Sequence, residues 1–207
     1  MSTSDVTSLS GYGIVLRHWT EHDVPAMVEL FDTPDISYRT PLPSPFDLTA
    51  AGEYLQMIQR TQVSGQRLHL AITVDGQHPR GEVLLNLETG SLGYGLGVAY
   101  RGQGLVSRAV RLITEYAHQS LGMPNVIAQI EPDNHASIAV VRSAGFRLTE
   151  EAPEQVTDKG RTYELLTWVH TAASPPSTPE HKEVPPAGAL RLQDDRPHIA
   201  EDRRGLR

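Results

Sequence analysis

Two short stretches of this chain set residue types at spacings that chemistry can use. In the first, Tyr100-Arg-Gly-Gln-Gly-Leu-Val106, two glycines stand immediately before a long run of helical apolar periodicity. Glycine lets backbone N–H groups come close to an anion, and the first turn of a helix offers unpaired N–H groups at the positive end of its dipole. With Arg101 adding charge, Gly102 to Val106 could cradle a pyrophosphate; an isolated Gly-x-Gly also fits an ordinary tight turn. No Gly-Lys-Ser/Thr follows, and the three-glycine dinucleotide pattern is not completed, so NTP hydrolysis and a dinucleotide cofactor lose ground. The second stretch, Asn134-His-Ala-Ser137, precedes a short apolar helix that stops at Gly145-Phe146. Asparagine there is a helix N-cap and Ser137 is a first-turn hydroxyl facing inward.

The elements that must hold these stretches are legible from periodicity. Ile14 to Trp19 reads as a strand, and Thr20 caps a helix running to Phe31. Pro41, Pro43 and Pro45 make an extended connection before a second helix, Thr49 to Gln62. Leu68–Val74 and Glu82–Leu87 read as strands on either side of the turn at Asp75-Gly76-Gln77. Leu92–Val98, interrupted by three glycines, reads as a strand that something approaches closely. The longest amphipathic helix runs from Leu105 toward Gly122, with Ala109, Val110, Ile113 and Ala117 on one face. Asn125–Ile130, Phe146–Leu148 and Tyr163–Val169 read as further strands. Helices interleaved with strands in this order predict an α/β (α+β) domain on a central mixed sheet.

Taken together, Arg101-Gly-Gln-Gly104 and Asn134-x-x-Ser137 with Gly145-Phe146 resemble the acetyl-CoA signature of the GNAT superfamily. Leu16-Arg-His-Trp19 with Asp23, Pro41-Leu-Pro43, Gly93-Tyr94 and Gly145-Phe-Arg147 are similar to the branch that includes ribosomal-protein N-terminal alanine acetyltransferases. The resemblance covers about residues 14 to 169. It implies a twisted, splayed sheet flanked by helices, with acetyl-CoA lying in the splay. The pyrophosphate would then sit on Gly102, Gln103, Gly104, Leu105 and Val106, and the pantetheine beside Leu96, Gly97 and Val98. Asn134 would contact the cofactor arm, and Ser137 would protonate the departing thiolate. No metal and no covalent intermediate are implied.

An alkylamine has a pKa of about 10 and must lose a proton before it attacks a thioester. A strand N–H at Gly97 or Val98 is the expected oxyanion donor. The resemblance leads one to expect an acid where Ser91 stands and a tyrosine where Val141 stands. Glu88 becomes the nearest replacement base in sequence, with Tyr94 a weaker option. Those two gaps keep open a second reading, an acyl-CoA-binding sensor or interaction module without catalysis. The expected acceptor is a protein N-terminus or a small amine, bound along Ser37 to Pro43.

Composition bounds the rest. The chain has 207 residues, no cysteine and a formal charge of −7. A thiolate acyl-enzyme and Cys-based zinc sites are thereby excluded, and the lack of a basic run argues against nucleic acid. The nine histidines include no His-Glu-x-x-His. Residues 1–13 read as a flexible N-terminus without a signal-type apolar core, and no run is apolar enough for a membrane span. Residues 171–207 are rich in Pro and Ser and read as a disordered tail. Its basic and acidic side chains balance, so the charge belongs to residues 1–170. A cytoplasmic monomer or homodimer is expected.

Overall fold

The computed structural model describes residues 8–173. It begins earlier than the sequence predicts. Strand β1 (Ser8–Gly11) pairs antiparallel with β2 (Ile14–His18) across a turn in which Tyr12 and Gly13 have φ of 53° and 69°. Two successive positive φ values are what a tight hairpin with right-handed strand twist requires. The expectation of a flexible segment through residue 13 is therefore corrected for residues 8–13. Serine-rich composition hid an edge strand whose Leu9 packs on the core. Met1 to Thr7, and the tail expectation beyond Ala173, lie outside the described residues.

After β2, Thr20 donates its N–H and its hydroxyl to Asp23 Oδ2, both at 2.9 Å. This box closes a 3-10 turn that leads into α1 (Val24–Phe31). The prolines from residue 41 onward are indeed in irregular chain, but a short helix precedes them: α2 (Pro34–Arg39), started by Pro34 at its first position. Helix α3 (Leu48–Val63) is capped by Asp47, whose carboxylate accepts from the Ala50 N–H at 2.9 Å. Met27, Leu30, Phe31, Leu55 and Ile58 from α1 and α3 close on Trp19, Phe46 and Ala71, forming one of two cores.

Strands β3 (Arg67–Thr73), β4 (Gly81–Asn86) and β5 (Leu92–Leu96) complete a five-stranded antiparallel sheet in the order β1-β2-β3-β4-β5. Helix α4 (Leu105–Gln119) covers its other face, burying Leu105, Ala109, Val110, Ile113 and Ala117 with Val83 and Leu85 in the second core. A second sheet follows from β6 (Asn125–Ile130), β7 (Arg147–Leu148) and β9 (Arg161–Thr171), with β9 between the other two. Helix α5 (His135–Ser143) connects β6 to β7. Strand β8 (Glu154–Asp158), absent from the sequence reading, forms a hairpin with β9 through Lys159 and Gly160, both at positive φ.

The sheets meet at a single parallel bridge, Ser91 with Ile127, reinforced by the Ile127 N–H donating to Gly90 O at 2.9 Å. Beyond it β5 and β6 are not paired. The central sheet is thus mixed by virtue of that one contact and open from Leu92 onward, as the sequence resemblance implies. No helix among the described residues is long and apolar enough to cross a membrane.

Candidate functional site

The opening between β5 and β6 has a chemically bare edge. Along an antiparallel strand, successive residues turn their N–H and C=O alternately toward and away from the neighbour. The Gly97 N–H donates to Arg80 O at 2.9 Å and the Asn86 N–H to Ser91 O at 2.8 Å, so residues 91, 93, 95 and 97 face β4. The peptide groups of Tyr94 and Leu96 therefore face the gap, while Val98, just past the strand, begins a 3-10 turn in which its carbonyl accepts from the Arg101 N–H at 3.3 Å. An extended chain bearing amides could pair with them as an added strand does.

This geometry divides the two proposed oxyanion donors. Gly97 is buried and its N–H is already bonded to Arg80; a Cβ there would fall 2.4 Å from Leu30. Its role is close packing, and the oxyanion assignment at Gly97 is corrected. Val98, just past the strand end, is exposed, which leaves its N–H as the remaining donor of the two. Leu96 buries its side chain while its carbonyl faces the gap, where it accepts from Arg101 Nη2 at 3.4 Å.

At the end of the gap, Gly102 and Gly104 have φ of 76° and 68°. Gly104 is the N-cap of α4, and the space where its Cβ would lie is empty to 4 Å. The loop is braced from behind. Arg108 donates to Gln103 O and Tyr12 O, each at 3.1 Å, and its Nε reaches Gly104 O at 3.3 Å. Gln103 contributes its backbone to this brace and is otherwise exposed; Leu105 is buried and Val106 packs at the core margin. The unpaired N–H groups at the start of α4 face the open side. Arg101 is not aimed at that space: it pairs with Asp35 of α2, whose carboxyl is held below its usual range by Thr33 and Arg101 despite partial burial acting the other way.

On the β6 side, Asn134 caps α5 by accepting from the Ser137 N–H at 3.2 Å, which leaves its amide NH2 available. Ser137 is half-buried at this helix start. Tyr94 reaches across from β5 and donates its hydroxyl to the Ser137 carbonyl at 3.0 Å. The structure therefore brings Tyr94, Asn134 and Ser137 together, with Tyr94 on the strand that leads on to Val98 and the loop. Burial pushes the Tyr94 phenol up to about 12. It stays protonated near neutral pH, so its assignment as a base is replaced by that of a brace for α5. Val141, in the place where a tyrosine was expected, is fully buried in the core.

Glu88 is not part of this assembly. It is exposed in the turn joining β4 to β5, on the far side of the Ser91–Ile127 bridge from Val98. The whole length of β5, about 13 Å for its four steps, separates that turn from the open end. Nearness in sequence misled because the strand runs away from its own hairpin.

Beside the opening, α2 and the β8–β9 hairpin enclose a cleft of about 640 Å³ whose lining includes Asp32, Ser37, Tyr38, Asp158, Lys159 and Arg161. Lys159 donates to the carbonyls of Ser37 at 2.7 Å, Thr40 at 2.9 Å and Leu42. Arg161 binds both oxygens of Glu131 and lies 3.9 Å above the Tyr38 ring. Both cations are engaged in holding the wall, and of the stretch Ser37 to Pro43 expected on the acceptor side, Ser37 and Tyr38 line the cleft. Among the described residues no group of three or more potential ligands could hold a metal ion.

A family model described as an acetyltransferase (GNAT) domain matches residues 14–147. An uncharacterised N-acetyltransferase, p20, of Bacillus licheniformis is 25% identical over 158 residues, covering 73% of this chain and 89% of that protein. Among solved structures, Mycobacterium smegmatis RimJ in complex with a CoA disulfide is similar with a TM-score of 0.68 at 20% identity, over 80% of this chain and 86% of that one. A ribosomal-protein-S5-alanine acetyltransferase from Vibrio fischeri is similar with a TM-score of 0.67 at 17% identity, over 81% and 97%.

Proposed function

Because this chain belongs to the GNAT acetyltransferase family, an acyl-CoA-dependent transferase with acetyl-CoA as donor, we propose that its acceptor is the α-amine of a protein N-terminus. The observation that carries this reading is the pairing of the bare β5 edge with a cleft at its side. One takes the cofactor arm as an extra strand, the other admits a chain end between α2 and the β8–β9 hairpin. The name of the similar Vibrio fischeri structure, a ribosomal-protein-S5-alanine acetyltransferase, supports the same acceptor class.

In this mechanism the pyrophosphate rests on the N–H groups opening α4, and the pantetheine amides pair with Tyr94 and Leu96. Asn134 contacts the arm through its free amide. The neutral amine attacks the thioester carbon, and the oxyanion is held by the Val98 N–H. When the C–S bond breaks, its electron pair leaves on sulfur, and Ser137 supplies the proton. Transfer is direct, by orientation of two bound substrates.

Ser137→Ala should lower kcat and kcat/KM together by about thirtyfold, with acetyl-CoA affinity close to wild type. Steady-state kinetics with calorimetry checks this; an intact kcat would move the acid to water or another hydroxyl. The acceptor is tested with a panel of peptides with free and blocked N-termini, set against polyamines and free amino acids, reading product mass and CoA release. Acetylation of the free α-amine of peptides is the expected result. Preferential acetylation of polyamines would overturn the acceptor, and acetyl-CoA binding without release of CoA above background would leave a binding module instead.

A further inference from the structure

A protein N-terminus reaches the site largely as an ammonium and must give up a proton, and neither Glu88 nor Tyr94 is placed to accept it. Among the described residues the buried carboxylates are Asp23, Glu82 and Glu131. Asp23 is committed to Arg17, and Glu131 to Arg39 and Arg161. Glu82 differs. Its partners are the Trp19 Nε1–H at 3.0 Å, the Tyr54 hydroxyl at 2.6 Å and His69 Nδ1 at 3.3 Å, so it can take up a proton without breaking a pair with arginine or lysine.

Its position is set by register. Glu82 on β4 lies directly opposite Gly95 on β5, and residues opposite each other project to the same face. On that face Gly93, Gly95 and Gly97 bring no side chains. The space above Gly95 is met by Ile36 of α2 at 3.6 Å and Phe31 of α1 at 4.0 Å, so it is the face on which α1 and α2 pack, and the next residues of α2, Ser37 and Tyr38, line the cleft. Tyr54 of α3 stands half-buried among Phe31, Phe46 and His69, with its hydroxyl on Glu82 Oε2.

We propose that Glu82 is the proton sink of the reaction, reached through the Tyr54 hydroxyl. This rests on the amine-acetylation reading above. The ammonium passes a proton to the Tyr54 oxygen, through one water, as the phenol's own proton crosses to Glu82. The neutral amine then forms the C–N bond. The second proton lost by nitrogen replaces the one that Ser137 gives to sulfur, and Glu82 returns its proton to solvent after product leaves. The atoms sum to acetylamide, free thiol and one proton. Burial, with Glu82 beside it, holds the Tyr54 phenol well above its ordinary pKa, so it relays a proton and does not store a charge. The titratable or charged groups facing this pair are His69 and Arg67 from β3; the facing residues of β5 are glycines.

The test compares wild type, Glu82→Gln and Tyr54→Phe on two acceptors: a peptide α-amine, and a hydrazide that is already neutral at pH 7. For Glu82→Gln the peptide reaction should lose about a hundredfold in kcat/KM with its acidic limb displaced. The hydrazide should lose less than about threefold, and acetyl-CoA affinity should hold. Tyr54→Phe keeps the ring packing and should reproduce the split, so it decides the matter if Glu82→Gln does not fold. Equal losses on both acceptors would reduce the cluster to a structural role and overturn the proposal, as would an unchanged peptide rate. A wild type inactive on every amine would instead overturn the acetyltransferase reading of the site and this inference with it.

Discussion

Gly104→Asn should keep the fold and lose at least about a hundredfold in acetyl-CoA affinity. The reasoning has two parts that the structure separates. Gly104 sits at φ 68°, the left-handed region in which a β-branched side chain is strained, so valine at this position would cost stability for reasons unrelated to binding. Asparagine tolerates that region and is a good N-cap, which removes the confusion. The space at the missing Cβ is open to 4 Å at the N-cap of α4, so side-chain atoms placed there should compete with phosphate oxygens for the helix start. Calorimetry against acetyl-CoA, with a thermal melt as the control for folding, checks the outcome. Unchanged affinity in a folded variant would remove the loop from the site.

Asp23→Asn should destabilise the protein by about 3 kcal/mol at pH 7, because it leaves Arg17 without its anion. Arg17 holds both Asp23 oxygens, at 2.7 and 2.9 Å, and the Asp23 side chain is 7% exposed. Burial alone would raise the carboxyl's pKa; the hydrogen bonds from Arg17 and Thr20 outweigh it and hold the value below the ordinary one. A lowered folded-state pKa gives stability that is complete above the unfolded value of about 3.9 and is lost as pH falls through the folded one. The gap between wild type and variant in urea midpoints should therefore be widest near neutral pH and shrink below about pH 4. A gap that does not change with pH would mean that packing, not charge, sets the cost. The residue matters to function because this box positions α1, whose Leu30 and Phe31 back Gly97 and Gly95.

Several elements were readable because local signals and tertiary demands agree. Helix α4 has an apolar stripe, a glycine at its cap and another beyond its end, and β6 runs over the residues its apolar pattern marks out. The elements missed are those whose sequence carries little burial. Strand β1 is a half-exposed edge, β8 alternates polar residues that are mostly exposed, and α2 is six residues between prolines. The local geometry proposed to hold the cofactor was legible for a related reason: glycines before a helix and an asparagine before a serine are local motifs. The proton acceptor was not. Glu82 acquires its place through register with Gly95 and contacts with Trp19 and Tyr54, and no short window of sequence contains those pairings.

The central claim is that acetyl-CoA pairs with the exposed edge of β5 and seats its pyrophosphate on the start of α4. Amide hydrogen exchange, measured by NMR with and without acetyl-CoA, tests this at single peptide groups. The account predicts new protection at Leu96, Val98, Leu105 and Val106, with the Gly97 N–H, already bonded to Arg80, little changed. Saturating acetyl-CoA that protected none of these four amides, or protected the opposite edge of the sheet at β1, would contradict it.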